Sequence, residues 1–290
     1  MSIYRIIEHT KWTVKELPFG ASITCEQIEK YFRDRVYGKV EEAFIMALFL
    51  FPYLTKQNMA RYADKRLGER KWSDYSNLLK SMWREGVFVR HEYGSLVLYA
   101  LSKEAMLYAV KRYTKLRKKE RNLKQDTIGE KLECVALAQW HISIISNERV
   151  LRSHFFEKIN LGREAVYVPS YVEIKKGRYR YHVMCFCMPK NEGSMERFIA
   201  DMSALYHALK KKVKLTNKDI FLVVVLAQDM VKLKNMAYLF VRNKNLMDLA
   251  VYFSLEEHSI HTKGLDFLYT VKEKRKDICL ELWEFKERNS

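Results

Sequence analysis

Ser73-Asp74-Tyr75-Ser76-Asn77-Leu78-Leu79-Lys80-Ser81-Met82-Trp83-Arg84-Glu85-Gly86, followed by Val87-Phe88-Val89-Arg90 and Leu96-Val97-Leu98-Tyr99-Ala100, is the stretch on which the fold of the N-terminal part turns. Tyr75, Leu78, Leu79, Met82 and Trp83 recur at i, i+3, i+4, i+7 and i+8, the spacing of one helix face. Ser73 or Asp74 stands where a cap belongs, and Gly86 where a left-handed C-terminal residue belongs. Two alternating apolar runs then read as a hairpin turning around Glu92-Tyr93-Gly94-Ser95. Upstream, the nearly all-apolar Glu41–Phe51 predicts a buried helix stopped by Pro52, and Thr55 caps a second helix, Lys56–Arg66, ended by Gly68. Helix, helix, turn, helix and hairpin in that order is the winged helix-turn-helix arrangement, predicted here over 41–101.

In such a unit the third helix spends its apolar stripe on the other helices and turns its polar face to the major groove. That face holds Ser73, Asp74, Ser76, Asn77, Lys80, Ser81 and Arg84. Ser76, Asn77 and Lys80 suit base edges, and Arg70 and Lys71 just before the helix suit phosphates. The His91–Ser95 tip carries too little positive charge to read DNA well. Trp83 belongs to the buried stripe, and packing is the simplest role for Trp72 as well.

Ser102 opens a further helix in which Met106, Ala109, Tyr113 and Leu116 form a seam of about two heptads. The seam suits either a homodimer, which the reading favours, or packing within the same domain. The run 111–121, with Lys111, Arg112 and Lys115, is the densest positive charge in the chain. It is either a DNA-facing stripe or a solvated helix face. The predicted organisation is an N-terminal extension over 1–40, for which only a Thr24-capped helix is suggested, the winged helix over 41–101, a basic linker or dimerisation helix over 102–125, and a second domain over 126–290. In the last, an apolar helix Leu132–Ile145 precedes strands at 165–168, 171–175 and 179–188, a helix at 195–212, a doubly buried strand at 220–227, a helix at 230–241 and a strand at 249–253. The fold class is therefore α+β, with a mixed α/β C-terminal domain.

Composition narrows the function classes. The 290 residues carry 52 Lys+Arg against 35 Asp+Glu, a net charge of +17. Residues 1–125 hold 25 basic and 14 acidic side chains, net +11, against +6 for the remainder. The 48% hydrophobic content, with only 10 Gly and 4 Pro, excludes a disordered or low-complexity chain. The longest apolar run, Ala43–Phe51, has nine residues, well short of the roughly 20 of a membrane span. The opening MSIYRIIEHTKW lacks the pattern of a secretory signal, so a cytoplasmic protein is expected, and its five cysteines are expected to be reduced. No phosphate-binding Gly-rich loop, Gly-x-Ser-x-Gly elbow or His-Glu-x-x-His motif is present. Cys185-x-Cys187 and His258-x-x-His261 supply metal-ligand types, but nothing in sequence brings them together. No metal or cofactor is expected.

LLKSMWREGVFVRHEYGSLVLYALS, VPSYVEIKKGRYRYHVMCFCMP, the helix and IFLVVVLA strand that follow, and LAVYFSLEEHS together resemble the replication-relaxation proteins of plasmids and integrative elements, over about residues 40 to 270. The resemblance implies a winged helix followed by a small α/β domain related to restriction endonucleases. Nucleases of that fold use an acid on one strand and an acid-x-Lys on the next, so that two carboxylates share a metal while the Lys acts on the attacking water. At the matched positions this chain has Ser170 after Pro169, and Cys185-Phe186-Cys187. Glu173-Ile174-Lys175 spells acid-x-Lys one strand early, with Glu164 the nearest upstream acid. The expectation is a nuclease-like scaffold without nuclease activity. The function expected is sequence-specific binding of double-stranded DNA by a mobile-element protein, as a transcriptional regulator or an accessory factor in replication, segregation or transfer. The alternatives are a metal-dependent nickase using Glu173 and Lys175, and a winged-helix protein-interaction module.

Overall fold

A computed structural model describes residues 38–68, 75–113, 127–161, 164–188, 195–212, 216–242, 250–256, 265, 268–274 and 277–283, together with Thr24, Glu26, Gln27 and Glu29. The side chains of 157–167, 212, 242, 273–274, 277–278 and 283 are not among those described. The fold is α+β, and the chain forms two compact units, Ile3–Ile142 and Ser143–Ser290. The division falls inside a helix, whereas the expected boundary at 121–126 lies outside the described residues.

The first unit contains α1 (Gly38–Leu50), α2 (Lys56–Leu67), α3 (Ser76–Arg84), β1 (Phe88–Tyr93), β2 (Leu96–Leu101), α4 (Lys103–Arg112) and the greater part of α5 (Ile128–Asn147). Its core is the apolar side of α1, with Ala43, Phe44, Ile45, Ala47 and Leu48 inaccessible to solvent, closed by Leu54, Met59, Ala63, Leu79, Met82, Phe88 and Leu98. The predicted punctuation is in place. The Thr55 hydroxyl accepts from the Asn58 amide at 3.3 Å, and Gly68 takes φ +71°, a value open to glycine at little cost. The backbone reverses at Gly86, φ +80°, where its amide donates to Trp83 and the Val87 amide reaches back to the Met82 carbonyl at 2.9 Å. The proposed caps Ser73 and Asp74 lie outside the described residues, and α3 begins directly after Tyr75.

β1 and β2 pair antiparallel from Phe88↔Leu101 to Tyr93↔Leu96 around the two residues Gly94-Ser95, with Gly94 at φ +59°. Both strands run longer than the sequence suggested. Leu54, between α1 and α2, exchanges two backbone hydrogen bonds with Tyr99 of β2, at 3.1 and 2.8 Å, and so adds a single-residue bridge to the hairpin that no sequence signal announced. Ser102 caps α4 by accepting from the Ala105 amide at 3.2 Å. Met106 and Ala109 of α4 are buried, and Tyr113 packs on Phe49 of α1 with ring centroids 5.7 Å apart, so the described part of the seam is spent inside this unit. Thr127 and Glu130 cap α5 reciprocally, the hydroxyl accepting from the Glu130 amide and the carboxylate from the Thr127 amide. Lys131 and His141 tie this helix to the first unit through His91 and Phe51.

The second unit holds one seven-stranded sheet in sequential order: β3 (Val150–Leu161), β4 (Glu164–Lys176), β5 (Tyr179–Cys187), β6 (Asp219–Ala227), β7 (Val251–Leu255), β8 (Leu268–Lys274) and β9 (Asp277–Trp283). β3–β4–β5 are antiparallel, β5–β6–β7 parallel and β7–β8–β9 antiparallel. The parallel steps require crossovers, supplied by α6 (Met195–Lys212) and α7 (Met230–Arg242). β6 is the middle strand, and Leu222–Ala227 are buried on both faces, as their unbroken apolar run requires. Met202, Leu205, Leu209, Leu233, Met236 and Phe240 of α6 and α7 pack with Met184, Val223, Val225 and Phe253 of the sheet. Strands expected separately at 165–168 and 171–175 are one strand, β4, continuous through Pro169. β3, β8 and β9 were not expected.

Candidate functional site

The residues predicted to read DNA from the third helix lie on the polar side of α3. Tyr75, Leu79 and Met82 are buried, while Leu78 and Trp83 are half-buried, so the apolar stripe is narrower than its spacing implied. The Tyr75 ring meets Phe44 of α1 edge-on at 5.2 Å, and its hydroxyl donates to Asp64 of α2 at 2.8 Å, which sets the start of α3 against both earlier helices. The Arg90 guanidinium lies 4.6 Å over the Trp83 ring and pairs with Glu92 at 2.5 Å, joining the other end of α3 to the hairpin.

Held in this way, α3 exposes Asn77, Lys80 and Arg84, at i, i+3 and i+7, as one continuous stripe. Ser76 differs from expectation. It is half-buried, and its hydroxyl accepts from the Lys56 ammonium, so it is committed to α2. The sequence reading missed Lys56: the Thr55 cap places it in the first turn of α2, exposed and beside the start of α3. Lys111 and Arg112 are exposed at the end of α4, on an element packed against α1, and Arg112 approaches Glu42 at 3.7 Å. Arg70, Lys71, Ser73 and Lys115 lie outside the described residues.

The hairpin tip is less polar than its sequence suggests, since His91 and Tyr93 are buried. The His91 ring meets Tyr53 edge-on at 5.7 Å, and its Nδ1 lies 3.5 Å from the Lys131 ammonium. Burial, with the Lys131 charge beside it, holds the imidazole pKa down to about 4.

In the second unit, Arg152 of β3, Tyr171 and Glu173 of β4, Arg180 and His182 of β5, and Asp219 and Phe221 of β6 stand on one face near one end of the sheet, as the strand register dictates. The Glu173 carboxylate, 7% exposed, lies 3.4 Å from Arg180 Nε and 3.7 Å from Arg152 Nε. Arg180 Nε is also 3.6 Å from Asp219 Oδ1. His182 bridges Asp219, at 3.0 Å through Nε2, to the Tyr171 hydroxyl, at 2.8 Å through Nδ1, with its ring stacked on Phe221 at 4.6 Å. The Thr216 amide and hydroxyl donate to the other Asp219 oxygen at 2.7 and 2.6 Å. Burial alone raises the Asp219 pKa, but the Thr216 and His182 hydrogen bonds outweigh it and bring the carboxyl down to about 2. Burial, reinforced by Glu173, raises the Tyr171 phenol. With both ring nitrogens of His182 engaged and the imidazole 1% exposed, the network fixes its neighbours and offers no accessible general base.

Ser170 and Cys185, which the family resemblance sets where nuclease carboxylates would stand, are direct partners across β4 and β5, and both are fully buried. They bring a hydroxyl and a thiol, and burial raises the thiol pKa well above its ordinary value. The acid-x-Lys carboxylate of Glu173 faces two guanidinium groups. Among the described residues no group of three or more His, Cys, Asp or Glu is arranged to hold a metal ion, and His258 and His261 lie outside them. No described helix is long and apolar enough to cross a membrane.

No family model matches the chain, and no curated protein matches it. Among solved structures, protein VC1899 from Vibrio cholerae is similar over 83% of this chain and 59% of that one, at 11% identity and a TM-score of 0.31. The chain thus spans less than two thirds of the length of that protein.

Proposed function

We propose that the protein binds double-stranded DNA sequence-specifically through α3, in a unit of winged helix-turn-helix type. The observation that carries this reading is the exposed line Asn77, Lys80 and Arg84 on a helix whose opposite side is locked into the core by Tyr75, Leu79 and Met82. Amide, ammonium and guanidinium groups at that spacing are the donors that major-groove edges select, and Lys56 beside them suits a phosphate. Three helices, a hairpin and the Leu54 bridge between the first helices and β2 support the winged-helix part. The net charge of +17 supplies the long-range attraction.

The resemblance to replication-relaxation proteins is what supports a role in a mobile element, as regulator or as accessory factor in replication, segregation or transfer. In that reading the sheet unit is a nuclease-related scaffold without nuclease chemistry, supported by the Ser170–Cys185 pair where carboxylates would stand. A homodimer on a repeated half-site remains part of the proposal, built from a surface other than the buried Met106 and Ala109.

The test is selection of bound fragments from a genomic library at about 0.15 M salt, where purely electrostatic association is weakened. Recovery of a few loci with a shared motif is expected. Uniform recovery contradicts sequence reading, and nicking of supercoiled plasmid with Mg²⁺ or Mn²⁺ restores the nuclease alternative.

A further inference from the structure

The end of the sheet described above is strongly basic in a way that the reading of α3 does not use. The register brings the start of β3, the β4–β5 turn and the start of β6 together: the Lys175 amide donates to the Arg149 carbonyl at 2.9 Å, Lys175 faces Arg180, and the Arg180 amide donates to the Lys218 carbonyl at 2.8 Å. Arg149, Arg152, Lys175, Arg178, Arg180 and Lys218 are all exposed there. The nearby acids are engaged from beneath. Glu148 pairs with Lys176 at 3.8 Å, and Glu173 and Asp219 are buried at 7% and 2% exposure.

Beneath these cations the carboxylates act as a fixed base plate. Arg180 is 51% exposed, yet its Nε lies within 3.6 Å of both Glu173 and Asp219, and Asp219 is itself held by Thr216 and His182. A guanidinium anchored through Nε keeps its outer N–H groups directed outward, which is the geometry of bidentate phosphate recognition with little side-chain entropy left to lose. Beside it, the Arg178 guanidinium lies 5.1 Å over the Tyr179 ring and donates to its hydroxyl at 2.9 Å, so a half-exposed aromatic is interleaved with the cations.

The geometry points to this sheet end as a second nucleic-acid contact, which takes the phosphodiester backbone without reading bases and has Arg180 as its preset phosphate ligand. It rests on the same partner class as the α3 reading but on residues of the other unit. Cations spread over the ends of four adjacent strands, with Arg180 held in place among them, suit a chain of regularly spaced phosphates, and the aromatic suits a base or sugar alongside.

The experiment compares the full wild-type chain with K175A/R178A/K218A and with N77A/K80A, measuring affinity for a 30-bp duplex across salt concentrations. All three sites of the first variant lie outside the buried network. That variant is expected to lower the slope of log K against log salt by about 2 to 3, each lost phosphate contact removing about 0.9, with any sequence preference retained. An unchanged slope and affinity, in a wild type that does bind DNA, overturns the sheet-end contact and leaves α3 standing. Loss of affinity in K175A/R178A/K218A with full discrimination kept in N77A/K80A supports the sheet end and removes α3. Wild type that binds no DNA overturns both. Lysine acetylation followed by mass spectrometry gives a second readout on unaltered protein: duplex is expected to slow modification of Lys175 and Lys218, and equal rates with and without duplex overturn the proposal. Vesicles containing 30% phosphatidylserine, if they protect these lysines while duplex does not, assign the surface to lipid instead and likewise overturn it.

Discussion

The two basic surfaces are built on opposite plans. Asn77, Lys80 and Arg84 project from a helix whose underside is mostly apolar, so their position is set chiefly by the Leu79 and Met82 packing beneath them. Arg180 stands over buried carboxylates, so its position is set by charge, through Glu173 and Asp219, with Arg152 more loosely beside Glu173. Side chains on an apolar base keep their rotamer freedom, which suits selection among base edges at some entropic cost. Guanidinium groups held by carboxylates have surrendered that freedom in advance, which suits a repeating backbone and carries no sequence information. On the proposed reading, one surface would discriminate and the other would hold.

Each half of that comparison can be broken separately. The largest effects fall on the foundations. Leu79→Ala should cost about 3 kcal/mol, by leaving a cavity under α3, and Asp219→Ala about 2 kcal/mol, by leaving the buried His182 Nε2 without its partner; urea unfolding with a fluorescence or circular-dichroism readout measures both. Changes at Asp219 confined to within 0.5 kcal/mol would mean that the carboxylate plate is dispensable.

A change of pH separates the units next. In the folded chain the His91 ring stays neutral down to about pH 4, whereas its ordinary pKa is 6.5. Between those values the unfolded chain binds the extra proton, so stability falls as pH drops through the window and is flat above it. The loss reaches up to about 3 kcal/mol at the bottom of the window, less what solvent screening removes. H91F should flatten the dependence, seen as smaller shifts in the urea midpoint between pH 7 and 4.5. An equally steep loss in H91F would place the titrating group elsewhere.

On the reading side, N77A/K80A should reduce discrimination between site and non-site DNA by about 2 kcal/mol, roughly thirtyfold, with the fold intact. Competition binding by fluorescence anisotropy measures it, and undiminished discrimination removes α3 from the reading role. The smallest effect expected is that of Thr55→Ala, about 1 kcal/mol through loss of the α2 cap. Because that cap sets Lys56 beside Ser76, the variant should also weaken DNA affinity slightly more than its stability loss explains.

The first unit was largely legible because its signals are local. Thr55, Gly68, Gly86, Gly94 and Ser102 each announce a cap or turn, α1 declares itself as an apolar run, and α2 and α3 follow a 3.6-residue period. What escaped was the Leu54–Tyr99 bridge, a one-residue pairing without periodicity, and the burial of Tyr93 and of His91, the latter with Lys131 of α5 arriving beside it from far along the chain. In the second unit the β6 run declared itself by being apolar throughout. β8 and β9 did not, since Arg275-Lys276 between them is no turn signature and the strands alternate with charge. β3 carries Arg152 and His154 among its apolar residues and lies at the edge of the sheet. The Glu173–Arg180–Asp219 network was invisible for a stronger reason. Its members come from three strands, one of them separated from the others by α6, and only register places them together. Glu173-x-Lys175 spells a nuclease motif, whereas its partners Arg152 and Arg180 stand on the two neighbouring strands and meet it only through the register.

The central claim is that α3 faces the bases. Its most direct test attaches a photo-crosslinker to Asn77→Cys on the exposed stripe of α3, with Lys234→Cys on the exposed side of α7 as the control, and maps adducts on duplex recovered by selection. The account predicts adducts on bases at fixed positions of the recovered motif from position 77 and background from position 234. Background from both, or equal yields scattered along the duplex, would contradict it.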